Sequence, residues 1–217
     1  MMLSLPAERL SDYVVRLLQY HFPDDEPLEG WSPATFALAL QRCEYNFSHI
    51  RRKYYQDNGA TLFDHLNADH MASFLYLIAN TVWREEGCTQ IATRLSYLNK
   101  VMHGLDLFYS VAMPEVFLLV HPVGTVLGNA SYGNFLVVYQ NCTVGAVGRD
   151  YPAFGAGTIL YSRSSVLGSC KVGDDVVFAA NSAIVGLDIP DNSVVLGMYP
   201  NARVAANGQT VRQRCFD

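Results

Sequence analysis

An apolar residue recurs at every sixth position through the second half of this 217-residue chain, in two series separated by one interruption. The first series is Val120, Val126, Tyr132, Val138 and Val144; the second, after a gap at 148–153, is Phe154, Leu160, Val166, Val172, Phe178 and Ile184. Small residues follow the apolar ones, as in Leu127-Gly128, Val144-Gly145 and Val172-Gly173, so each short straight segment ends in a tight corner. A period of six fits neither an α-helix nor simple strand alternation. It predicts a parallel β-helix of about four coils, whose short faces each turn one branched side chain inward. Stacking such coils buries a continuous core that no single coil buries alone. On this phase Val120 points inward and His121, the next residue, outward.

Residues 1–104 follow a different pattern. Leu10, Val14, Leu17 and Leu18 fall on one helical face, and Ser32-Pro33 marks a helix start ahead of Phe36, Leu38, Leu40 and Cys43. Ala72, Leu75, Tyr76, Ala79 and Trp83 recur at helical spacing, and after Gly87 another helix runs through Ile91, Leu95, Leu98 and Val101 to Gly104. Asp57-Asn58-Gly59 reads as a turn between helices. The predicted class is α+β, with an all-α domain at 1–104, a β-helical domain at 105–203 and a short irregular tail at 204–217.

A formal charge of −5 gives no electrostatic case for nucleic acid or for an anionic membrane, and neither is expected as a partner. Charge interrupts the N-terminal segment too early for a signal peptide, and no apolar stretch reaches the length of a membrane span, so a cytoplasmic protein is expected. Five cysteines without a CxxC indicate neither a disulfide framework nor a zinc site. Asp64-His65 and Asp69-His70 resemble a metal cluster, but a five-residue offset does not bring both imidazoles to one helical face; they read as helix surface, and no metal is expected. His103, just before Gly104, reads as an imidazolium favoured by a helix C-terminus. Arg51-Arg52-Lys53 beside Tyr54 and Tyr55 reads as a solvated or subunit-contacting face.

His121 is the residue best suited to chemistry, because an outward imidazole titrates close to neutral pH and serves as a general base. Fifteen residues earlier Asp106 stands in the apolar setting Gly104-Leu-Asp-Leu-Phe-Tyr109, where an unpaired charge is costly. A carboxylate accepting from one imidazole nitrogen would fix the tautomer and leave the other nitrogen free to take a proton.

Residues 106–185 resemble the catalytic domain of serine acetyltransferases. The matching segments are Leu105-Asp106-Leu107, His121-x-x-Gly124-x-Val126-x-Gly128, Gln140-x-x-Thr143-x-Gly145, Pro152 after the inserted loop, and Val166-Leu-Gly168 with Val172-Gly173. The separation of Asp106 and His121 equals that of the family's catalytic pair. Tyr76-x-Ile78-Ala79-x-x-x-Trp83 with Gly87 is similar to the last helices of its N-terminal domain, so the likeness runs over about 70–200. The resemblance implies a left-handed β-helix, acetyl-CoA as co-substrate, and acetyl transfer to a hydroxyl with His121 as base and Asp106 orienting it. It implies oxyanion donors at the Gly145 or Ala146 backbone. It also implies a cofactor groove between β-helices of a homotrimer, lined by Gly145, Ala146, Ser162, Ala180, Pro200 and Arg203, with a hexamer as the larger assembly the helices would build.

Departures from the family bear on the acceptor. Serine-specific members carry Asp before the catalytic His, where this chain has Val120, and an Arg-His pair before the loop proline, where it has Asp150-Tyr151. Arg149 lies one residue away from that pair. The chain also lacks the terminal Ile through which cysteine-biosynthetic members dock on their sulfhydrylase. Arg149, Asp150 and Tyr151 are thus the candidate acceptor contacts, and Tyr132, Tyr139, Tyr151 and Tyr161 give the outer surface and loop an aromatic character suited to sugar rings, although Tyr132, inward in the series, reads as core. The expected acceptor is a small-molecule carbohydrate hydroxyl of surface-polysaccharide metabolism, with serine O-acetylation or amino-sugar N-acetylation as alternatives.

Overall fold

The computed structural model describes residues 1–24 and 30–217, which form two compact units: 1–48 with 52–110, and 49–51 with 111–217.

The first unit contains β1 (Met2–Leu3), α1 (Ala7–His21), α2 (Pro33–Ser48), β2 (Gln56–Asp57), β3 (Ala60–Phe63), α3 (Ala68–Glu86), α4 (Thr89–His103) and β4 (Asp106–Leu107). Helix α1 buries Leu10, Val14 and Leu18, the face that its apolar spacing marks. Helix α3 is the centre of the unit: a continuous run from His70 to Val82 is buried, packed between α2 and α4. The Asn67 side chain caps its first turn through the Asp69 and His70 N–H groups, and Gly87 ends it in the left-handed region. The unit is not all-α. Asp57-Asn58-Gly59 turns a β-hairpin rather than joining two helices, with Gln56 paired to Thr61, and β1 adds in parallel to β3. Asn58 and Gly59 both have positive φ, which a two-residue hairpin turn requires.

The second unit is the parallel β-helix of about five turns. Its first sheet stacks β5 (Phe117–Leu119), β7 (Leu136–Val138), β10 (Thr158–Leu160), β13 (Val176–Phe178) and β15 (Ser193–Leu196). The second face holds β6 (Val126–Leu127), β8 (Thr143–Gly145), β11 (Ser165–Leu167) and β14 (Ala183–Val185), and the third holds β9 (Ala153–Phe154) and β12 (Lys171–Val172). Leu119, Val138, Leu160, Phe178 and Val195 form one inward ladder, all at 0% exposure. Leu127, Val144, Val166 and Ile184 form the second; Tyr132, Phe154, Val172 and Ile189 line the third face. Each such buried side chain contributes about 1.5–3 kcal/mol relative to exposure. Corner carboxylates close the backbone between coils: Asp174 accepts from Ala156 N–H at 2.7 Å, Asp188 from Lys171 at 2.7 Å and Asp191 from Asp174 at 2.8 Å.

The six-residue phase fails in the first coil. Val126 is 41% exposed and Val120 is only half-buried; Leu127 and Leu119 take their inward places. The cause is a longer corner. Eight residues separate Leu119 from Leu127, where six separate the corresponding Val138 and Val144. The tail is also ordered, contrary to expectation. Strand β16 (Arg203–Ala206) pairs antiparallel with β15, and α5 (Val211–Cys215) follows, opened by a Thr210–Gln213 capping box. Phe216 is buried, and Arg51 pairs with Asp217 at 2.7 Å while staying exposed, as are Arg52, Lys53 and Tyr54.

Candidate active site

His121 owes its exposure to that extended corner rather than to an inward Val120. It adopts φ 49°, with its carbonyl accepting from Val123 N–H at 2.7 Å, while Thr125 N–H reaches the Pro122 carbonyl. Gly124 then lies over Asn141, where a Cβ would stand 2.4 Å from the Asn141 Oδ1. Two tight turns in succession shape this corner, and Asn141 N–H donates to the Val123 carbonyl at 2.9 Å, so the segment stays stacked on the next coil. His121 is exposed on this corner.

Asp106 opens β4, directly after the left-handed Gly104 that ends α4. Its neighbours Leu105 and Leu107 are buried, and the carboxylate itself is half-buried. Asp106 Oδ2 accepts from Lys100 Nζ at 2.6 Å. The hydrogen bond to Asp106, and then its charge, raise the Lys100 pKa. The sequence reading offered only an imidazole as partner for this carboxylate and missed Lys100. The available signal was a lysine in the last helical turn followed by the Gly-Leu-Asp exit.

The loop inserted after β8 is a two-residue hairpin: Val147 and Asp150 exchange backbone hydrogen bonds at 3.1 and 3.3 Å around Gly148 and Arg149. Arg149, Asp150 and Tyr151 are all exposed on it, and the Tyr151 ring lies against Gly128, where a Cβ would approach Cε1 to 3.2 Å. Gly145 ends β8 and pairs with Leu167, with half-buried Ala146 after it. Ser162 and Ala180 follow β10 and β13 at the opposite end of that face, joined in register by Asn181 N–H donating to the Ser162 carbonyl at 2.9 Å. Pro200 and Arg203 are exposed at the turn into β16 and on its first residue. The structure thus brings Ser162 next to Ala180 and Gly145 next to Ala146, but sets the two pairs at different corners.

The other candidate histidines are not surface groups. His70 is fully buried within α3, among Phe47, Tyr55 and Phe63, and its Nδ1 accepts from Asp64 N–H at 3.1 Å. Burial lowers its pKa to about 4. His103 is buried as well, with Nδ1 donating to Asn99 Oδ1 at 2.7 Å, and burial lowers it to about 4. It is a neutral ring, not the imidazolium expected at the helix end. Asp64 and His65 precede α3 and are not helix surface. Among the described residues no group of three or more His, Cys, Asp or Glu side chains is arranged to hold a metal.

A helical unit ahead of a hexapeptide-repeat β-helix defines the class. No family profile matches the chain. Serine acetyltransferase 2 of Arabidopsis thaliana is 30% identical to it over 138 residues, covering 61% of this chain and 42% of that relative. The serine acetyltransferase of Mycobacterium tuberculosis is 25% identical over 126 residues, covering 56% and 54%. The chain therefore spans about half or less of the length of these relatives. Its fold matches the serine acetyltransferase of Vibrio cholerae at TM-score 0.66 and 20% identity, over 95% of this chain and 78% of that one. It matches a soybean serine acetyltransferase complexed with serine at 0.63 and 19%, over 89% and 76%. The chain is thus similar to serine acetyltransferases in sequence over part of its length, and it shares their fold.

These likenesses overturn the carbohydrate acceptor, and none of them shows an association with surface polysaccharides. These relatives and structures are all serine acetyltransferases. Tyr132 is core as its inward position indicates, stacked on Phe154 at 5.5 Å, and Tyr139 and Tyr161 form a tilted, half-buried pair with ring centres 5.0 Å apart. Missing charges at Val120 and Asp150-Tyr151 subtract one way of holding serine; they do not specify a sugar.

Proposed function

We propose that the protein is an acetyl-CoA-dependent serine O-acetyltransferase. The observation that carries this is the likeness to serine acetyltransferases from plant and bacterium, and Asp106 and His121 are the catalytic pair of this reading. In the proposed reaction His121 removes the proton from the serine hydroxyl, and Asp106, itself held by Lys100, stabilises the imidazolium that results. The alkoxide attacks the thioester carbonyl, and the backbone N–H of Gly145 or Ala146 donates to the oxyanion. Collapse of the tetrahedral intermediate expels the CoA thiolate, which takes the proton back from His121. Gly145, Ala146, Ser162, Ala180, Pro200 and Arg203 line the acetyl-CoA wall. Arg149 on the hairpin tip is the cation available to the serine carboxylate.

The proposed unit is a homotrimer, supported by exposed apolar side chains on the β-helix walls, Val126, Val147 and Leu187 among them. Domains at 1–104, 105–203 and 204–217 and a cytoplasmic location belong to the same reading; among the described residues no helix is long and apolar enough to cross a membrane. The test is thiol release from acetyl-CoA with and without serine. Serine-dependent release, by a species three times the 24.1 kDa chain in light scattering, is expected. Release that serine does not increase overturns the proposal.

A further inference from the structure

One corner of the β-helix places a residue in the left-handed backbone region in coil after coil. Asn141, Arg163 and Asn181 have φ of 58°, 63° and 60°. They are in register: Arg163 N–H donates to the Gln140 carbonyl at 3.0 Å, and Asn181 N–H to the Ser162 carbonyl at 2.9 Å. Asparagine enters this region readily, whereas a long side chain does so rarely and at a conformational cost. An arginine between two asparagines is therefore a strained choice at a position where the fold already uses the relaxed one. Arg163 is exposed, and among the described residues its guanidinium makes no ion pair or hydrogen bond.

The surroundings make the charge stand out. The corner segments 120–125, 139–142, 161–164 and 179–182 contain no Asp or Glu. The carboxylates of Asp174, Asp188 and Asp191 lie on other corners, engaged with backbone N–H groups. Ser162, which precedes Arg163, and Ala180, one coil on, have small side chains, and Ala180 is exposed. A strained, unpaired guanidinium on a carboxylate-free edge suits a ligand that carries phosphate, whose oxygens match its planar fork.

We infer that Arg163 binds a phosphate of the nucleotide portion of acetyl-CoA, anchoring the co-substrate at the end remote from its thioester. This rests on the proposed acetyl-CoA wall through Ser162 and Ala180. Arg163 is a binding residue that never touches the reacting atoms, so its loss weakens the capture of acetyl-CoA and leaves the chemical step alone.

The test uses Arg163→Asn, which keeps a residue at ease in the left-handed region and so preserves the fold, and Arg163→Lys, which keeps charge but loses the fork. Donors are acetyl-CoA and S-acetylpantetheine, which lacks every phosphate. Arg163→Asn is expected to raise KM for acetyl-CoA roughly ten- to a hundredfold, the size of a lost hydrogen bond to a charged group, with kcat and the S-acetylpantetheine KM unchanged. Arg163→Lys is expected to fall between. An unchanged KM for acetyl-CoA, or equal loss with both donors, overturns the inference. Calorimetric titration with CoA, which needs no acceptor, separates this from the serine reading. If the wild-type protein binds CoA and Arg163→Asn binds it as tightly, Arg163 is excluded whatever the acceptor. If Arg163→Asn alone loses affinity while serine elicits no thiol release, the phosphate contact stands and the serine assignment falls.

Discussion

Acid should loosen the helical unit through two buried rings. His70 and His103 each titrate at about 4 in the folded protein, against 6.5 when exposed, with burial as the leading cause. A lowered histidine pKa means that the unfolded chain binds more protons than the folded one between those values. Stability contributed by the neutral ring is therefore complete above pH 6.5 and falls as the pH drops toward 4. At pH 5 the loss is about 2 kcal/mol for each ring, and near pH 4 about 3 kcal/mol, since each pK unit is 1.36 kcal/mol. Geometry adds a local consequence at His70: Nδ1 accepts the Asp64 N–H, and a protonated Nδ1 cannot. The assay is urea unfolding followed by far-ultraviolet circular dichroism at 222 nm, from pH 7.5 to 4.5. The controls are His70→Asn, whose amide oxygen can still accept from Asp64, and His103→Asn, whose amide N–H can still donate to Asn99. Each variant should be less sensitive to acid than wild type by roughly those amounts. Variants that keep the full wild-type slope would show that these rings are not held neutral by burial, and the reasoning fails.

Other consequences can be checked singly. His121→Ala should cut serine-dependent turnover by roughly two to four orders of magnitude while CoA titration is unchanged, the size of a lost general base; near-normal turnover would remove it from that role. Leu127→Ala should cost about 2–5 kcal/mol in unfolding experiments and Val126→Ala under about 0.5 kcal/mol, because Leu127 is 2% exposed and Val126 41%; the reverse order would restore the strict six-residue phase. Gly173→Ala should lower the melting temperature of the β-helix, since the added Cβ would meet the Asp191 backbone nitrogen at 2.6 Å; an unchanged melting temperature would mean that the coils are not stacked this closely.

The hexapeptide period settled the architecture of the second unit from the sequence alone, because every coil repeats the same local problem. A branched side chain must enter a narrow core, and a small residue must turn the chain, so the solution is written at each rung from Val138 to Ile184. The faces of α1 and α3 were legible for the same reason, being periodic and local. What escaped was set by contacts between distant parts of the chain. Two extra residues between Leu119 and Leu127 have no signature in a sequence already tuned to sixes, yet they shift the first coil out of phase and lengthen the corner that carries His121. The hairpin at Asn58-Gly59 needed β1 from the chain's beginning to complete its sheet. His70 and His103 look like surface groups until helices close over them, and burial rather than spacing decides their charge. Lys100 meets Asp106 only because Gly104 turns the chain sharply at the end of α4. Local spacing specified the repeat; the departures from it, where the candidate chemistry resides, were decided by the stacking of one coil on the next.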